Sequence, residues 1–156
     1  MGVREVFSSL LALAVAIPTV LMAAEADPRA GVWIERKGTP SYQGLHRSFE
    51  DLGGGLVRVN IALGPDGRAR SFVDLRCDGR PQPVHIAGPA MTLACRTLDA
   101  RTTEFTFVRA SDAGWARSTG REQVSPDGSV MTVSAVQTDA GGAIVARVER
   151  IFDRQR

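Results

Sequence analysis

Val57-Arg58-Val59-Asn60-Ile61-Ala62-Leu63-Gly64-Pro65-Asp66-Gly67-Arg68 decides the fold. Val57, Val59 and Ile61 alternate with Arg58 and Asn60, the period-2 pattern of a strand with one buried and one wet face. The run stops at Gly64-Pro65-Asp66-Gly67. Proline pre-sets φ for the first central position of a tight turn, aspartate tolerates the next, and glycine accepts the positive φ that follows. The same punctuation returns at Asp78-Gly79, Asp112-Ala113-Gly114, Ser125-Pro126-Asp127-Gly128 and Asp139-Ala140-Gly141-Gly142. Short alternating segments lie between these turns. The chain therefore reads as a series of antiparallel hairpins.

Outward from this stretch, strands are expected at 31–35, 47–52, 56–63, 68–77, 90–98, 102–110, 115–124, 129–138 and 143–152. Pro81 and Pro83 cannot donate to a ladder, so 84–86 is at most a brief edge strand. Residues 37–45 form a loop with room for one helical turn, and the Arg154-Gln155-Arg156 tail is expected to fray. No long amphipathic helix is present in the pattern. The fold class is all-β: an antiparallel up-and-down meander of about 8–10 strands, whose closure into a barrel removes exposed edges. A two-sheet sandwich is the alternative, although no Trp-to-disulfide spacing of the immunoglobulin type occurs.

The ends bound the compartment. Arg4 supplies a positive start, residues 10–22 are almost wholly apolar, and Ala24-Glu25-Ala26 is a small-x-small cleavage pattern. Residues 1–26 read as a secretory signal peptide cut near Ala26, leaving 27–156 as one β-barrel domain in the periplasm or secreted. An uncleaved anchor is the alternative, but the apolar run is shorter than the about 20 residues a spanning helix needs. No stable membrane insertion is expected after cleavage. The net charge of +2 is mild and Lys37 is the only lysine. With no basic run, nucleic acid is not an expected partner. Oligomeric state is left open.

Cys77 and Cys95 are the only cysteines. An even count in an exported chain suggests a disulfide. Val73, Leu75 and Cys77 share one strand face, and Met91, Leu93 and Cys95 share another. Both faces are apolar, so both sulfurs should point to one interior. Closing a loop of this length contributes ~3 kcal/mol in the chain-entropy model. Two buried free thiols are the competing reading.

Catalytic chemistry is not legible. His46 and His85 belong to no metal-binding pattern, so no metal or cofactor is expected. No serine sits in a G-x-S-x-G elbow, and Gly53-Gly54-Gly55 lacks the lysine of a phosphate loop. Asp74, on a face with Phe72 and Arg76, reads as half of a cross-strand ion pair with Arg76 or a neighbour, the alternative being an acid with a raised pKa. The remaining candidate is a cavity, because barrels of this size can enclose a small ligand. Val59, Ile61, Leu75, Leu93, Phe105, Phe107, Arg109 and Met131 are its candidate lining, with Arg109 placed to meet an anionic head group. Ala116, Ser118 and Gly120 on one strand leave space beside them. Side chains that simply fill the interior would give the same pattern.

Two features carry a resemblance. Gly31-Val32-Trp33 resembles the G-x-W signature of lipocalins and the wider calycin group. That resemblance implies a tryptophan packed beneath the barrel against an arginine of a late strand; Arg150 or Arg154 matches, and Trp33 with Arg150 is the expected closing pair. Glu50-Asp51-Leu52-Gly53-Gly54-Gly55, Asp66-Gly67, Cys77-Asp78-Gly79, Leu98-Asp99-Ala100-Arg101-Thr102, Val124-Ser125-Pro126-Asp127-Gly128 and Phe152-Asp153 together are similar to a set of small secreted bacterial β-proteins, largely uncharacterised. Departures are Cys77 in place of an aromatic and Arg80 in place of lysine. The resemblance implies a lipocalin-like barrel and export, and says nothing of activity. The expected function is binding of a small apolar or amphipathic ligand, without catalysis; a filled barrel serving as an envelope interaction module is the alternative.

Overall fold

The computed structural model describes residues 27–63, 69–85, 90–109 and 114–156. The proposed signal peptide, the turn at 64–67, Ile86 and the Asp112-Ala113 part of a further turn lie outside the described residues. Ten strands are present among the described residues: β1 (Gly31–Glu35), β2 (Leu45–Gly53), β3 (Leu56–Leu63), β4 (Ala69–Arg76), β5 (Gln82–Val84), β6 (Met91–Asp99), β7 (Thr102–Arg109), β8 (Arg117–Val124), β9 (Val130–Thr138) and β10 (Ile144–Arg154). No helix occurs among the described residues.

The strands form one antiparallel sheet in the order β4-β3-β2-β1-β10-β9-β8-β7-β6-β5. It curls into a nearly closed barrel, not two face-packed sheets. The order departs from a closed meander at one place, the absence of a β4–β5 ladder; the first and last strands do meet, β1 pairing with β10 with Trp33 opposite Arg154 and Glu35 opposite Phe152. The first and last strands are thus neighbours in mid-sheet, and the seam falls between β4 and β5. The Cys77–Cys95 disulfide stands at that seam. Around it, Gly79 N–H donates to Cys95 O at 2.7 Å and Thr97 N–H to Cys77 O at 3.3 Å. The Gln82 side chain takes the place of a strand, accepting from Arg76 N–H and donating to Arg76 O.

Local chemistry accounts for the turns. Gly54 and Gly55 both have positive φ, +61° and +75°, which a two-residue hairpin loop of the type I′ kind requires. Gly128 N–H bonds Ser125 O at 2.9 Å, closing the Ser-Pro-Asp-Gly turn. There the Ser125 and Ser129 hydroxyls on the Asp127 carboxylate hold its pKa down to about 2.

Inward side chains build the core, with Trp33, Met131 and Phe152 wholly buried and Val84 nearly so. Gly120 is a packing residue. A Cβ there would stand 2.7 Å from Ala135 Cβ and 2.8 Å from Phe105 Cζ, and would also press on the Ser134 carbonyl. The Phe105 ring therefore occupies the room beside Gly120. Gly120→Ala is expected to cost about 1–3 kcal/mol through overpacking, read as a lowered urea midpoint at unchanged m-value. An unaltered midpoint would mean the strand shifts freely.

Three expectations need correction. Arg154 is not frayed: it pairs with Trp33, and Gln155 N–H donates to Val32 O at 2.8 Å. The edge strand sits at Gln82–Val84, so Pro83 lies within it, tolerated because β5 ladders on one side only. The 37–45 loop contains turns and no helical turn. Asp74 does form a cross-strand ion pair, but with Arg58, at 2.7 Å, because Arg58 stands directly opposite it in register. The Arg58 guanidinium holds the Asp74 carboxyl below its ordinary value.

Candidate functional site: the barrel interior

The interior is divided. A concavity of about 260 Å³ is lined by Leu45, Ile61, Met91, Phe105, Phe107, Trp115, Val133, Ala135, Val148 and Phe152, with the polar groups Arg47, Ser118, Glu122, Gln137 and Arg150. A second void of about 50 Å³ lies among Phe49, Val59, Val73, Leu75, Leu93, Thr103, Arg29 and the two cysteines. Arg47, Glu122, Ile61, Phe105 and Phe107 border both.

Strand parity puts charge inside as well as oil. Arg47 lies two residues from Phe49, Glu35 two from Trp33, Glu122 two from Val124, and Arg150 two from Phe152. Each charged residue shares its neighbour's inward face. Arg47 Nη1 meets Glu122 Oε1 at 2.5 Å between the two voids. Arg150 Nη1 donates to Glu35 Oε1 at 3.0 Å. The other oxygen of Glu35 accepts from Gln43 N–H and Leu45 N–H, both at 2.9 Å. One buried carboxylate thus ties β10 to the loop between β1 and β2.

The far end of the barrel is plugged. Trp33 Nε1–H donates to Arg29 O at 2.8 Å, Arg29 Nη1 donates to Thr103 Oγ1 at 3.1 Å, and Arg154 Nη2 donates to Pro28 O. Burial alone would raise the Asp27 carboxyl, but hydrogen bonds and charge from Arg29 outweigh it and the pKa is lowered.

Of the candidate lining residues, Ile61, Phe105 and Phe107 border both voids, while Val59, Leu75 and Leu93 border the smaller one. Met131 is buried in the packed core and borders neither. Arg109 is also absent from both linings. Its Nε donates to Trp115 O at 2.5 Å and its guanidinium lies over the Trp115 ring, 4.1 Å from the centroid. The arginine on Trp33 is Arg154, 4.6 Å from the ring centroid; Arg150, two alternations earlier on β10, faces Glu35 instead. Of the four inward ionic residues, Glu35, Arg47 and Glu122 were not singled out from the sequence, and Arg150 was singled out only as the partner of Trp33. No group of three or more His, Cys, Asp or Glu side chains able to hold a metal occurs among the described residues.

Solved structures with the same architecture exist. The fatty-acid-binding protein of Schistosoma mansoni, in complex with arachidonic acid, superposes with a TM-score of 0.62 over 83% of this chain and 97% of its own, at 10% identity. The abundant heat soluble (SAHS) protein of Ramazzottius varieornatus gives 0.63 over 84% and 98%, at 9% identity. Fatty-acid-binding protein 1 of Echinococcus granulosus gives 0.61 over 83% and 98%, at 9% identity. The fold is a calycin-like barrel. At these identities the likeness is one of fold. No protein-family model and no curated protein sequence matches the chain.

Proposed function

We propose that the protein is an exported binding protein holding one small apolar or amphipathic molecule inside its barrel. The observation that carries this reading is the concavity of about 260 Å³, walled by Leu45, Ile61, Met91, Phe107 and Val148 and furnished with a few inward polar groups. Apolar walls with sparse polar groups are the usual composition of a ligand site, and the volume lies just under the ~300–1,000 Å³ of sites for drug-sized molecules. Binding draws on burial of ligand surface, at roughly 25 cal/mol per Å² before ordering costs. Two of the similar structures are fatty-acid-binding proteins, which supports the same use of the fold. Residues 1–26 act as the export signal in this reading, with a periplasmic or secreted destination in a bacterium. The Cys77–Cys95 bridge supports it, because disulfides persist in oxidising compartments.

A second reading has its own support. Both cavity arginines already have carboxylate partners, as a filled barrel with its function on the outside would need. The contact surface is then the 37–45 loop, where Tyr42 is exposed. Val148→Trp separates the two. This half-buried wall position accepts a large ring that fills the cavity while the fold persists. Titration with a neutral solvatochromic dye should give saturable uptake by the native protein and at least about tenfold weaker uptake by the variant. No uptake by the native protein would leave the filled barrel.

A further inference from the structure

The ionised side chains that reach the interior occur in matched pairs. Arg47 meets Glu122 at 2.5 Å, with side-chain exposures of 15% and 9%. Arg150 meets Glu35 at 3.0 Å, at 14% and 0%. Arg29 meets Asp27 at 2.8 Å, at 11% and 18%. Every guanidinium bordering the two voids therefore stands against a carboxylate of its own. Arg109, outside both linings, is held against its own hairpin by Trp115.

Glu122 borders both voids, as does the Arg47 it neutralises. A carboxylate ligand entering the larger void adds a negative charge beside Glu122. The guanidiniums within its reach are already matched: sharing one with Glu122 or Glu35 sets two carboxylates against a single positive charge, and displacing either leaves a protein carboxylate unmatched where water is scarce. An ammonium head faces the mirror problem at Arg47 and Arg150. A neutral head has neither, and the Ser118 hydroxyl and Gln137 amide on the same wall offer uncharged donors and acceptors.

We infer that the barrel selects a neutral amphiphile, such as a medium-chain alcohol, amide or ester, over the corresponding carboxylate, and that Glu122 sets this preference. The inference rests on the ligand-binding reading above, and it departs from the anionic ligand class of the two similar fatty-acid-binding proteins.

The test is isothermal titration of the full disulfide-bonded chain with decanol, decanamide, decanoate and decylamine. Decanoate and decylamine should bind at least about tenfold more weakly than the two neutral compounds. Glu122→Gln removes the competing charge while its amide oxygen still accepts from Arg47; it should tighten decanoate about tenfold and change decanol by less than about threefold. Native protein that binds decanoate as well as decanol overturns the inference and leaves the ligand-binding reading standing. Binding of none of the four removes both. A native preference that survives unchanged in Glu122→Gln overturns the role of Glu122.

Discussion

Glu35→Ala is expected to destabilise the protein by about 3–5 kcal/mol, the usual cost of removing one partner from a buried ion pair. The Glu35 side chain is fully buried. It accepts from Arg150 through one oxygen and from two backbone N–H groups through the other. Its loss leaves a guanidinium uncompensated inside the barrel, where desolvation penalises it, and two part-buried backbone donors without their acceptor. Glu35→Gln should fall between, because the amide oxygen still serves the loop while the charge opposite Arg150 is gone. Urea unfolding followed by tryptophan fluorescence measures both. A loss below about 1 kcal/mol in Glu35→Ala would mean that water replaces the carboxylate at no great cost, and that the 37–45 loop does not depend on it.

Replacing Cys77 and Cys95 together by alanine should cost about 2–5 kcal/mol, in line with the loss of a native bridge from a small secreted domain. The location makes the effect local as well as global. β4 and β5 share no ladder, so the seam is spanned by the disulfide, the two backbone bonds at Cys77 and Gly79, and the Gln82 side chain on Arg76. Without the bridge, amide protons of β5 and of the Arg76 end of β4 should exchange faster by more than those of β9 and β10. Uniform acceleration across all strands would show that the bridge acts only on the unfolded chain. The reduced native protein should match the double variant.

The strands were legible because their physics is local. Val57, Val59 and Ile61, or Met131, Val133 and Ala135, show their buried face through alternation alone, and Pro126-Asp127-Gly128 names its own turn. The disulfide was legible because Cys77 and Cys95 each continue an apolar row. The inward charges were not. A charged residue in an alternating strand reads as its wet side, yet Glu35 and Arg150 stand at the parity of Trp33 and Phe152. That parity was a usable signal. Their partnership was not, since it joins positions 115 residues apart through the β1–β10 pairing. Gly120 misled in the opposite direction: a small residue promised room, and Phe105 from the adjacent strand took it. The choice of Arg154 over Arg150 for the Trp33 ring likewise depends on a register that only the assembled sheet reveals.

The pairing of β1 with β10 also bears on when the molecule can finish folding. A ribosome delivers β1 early, but the neighbour that completes its ladder is β10, which follows all the other strands. Such long-range pairing is intrinsically slow. The nascent polypeptide must therefore wait, with an incomplete sheet, until β10 has emerged.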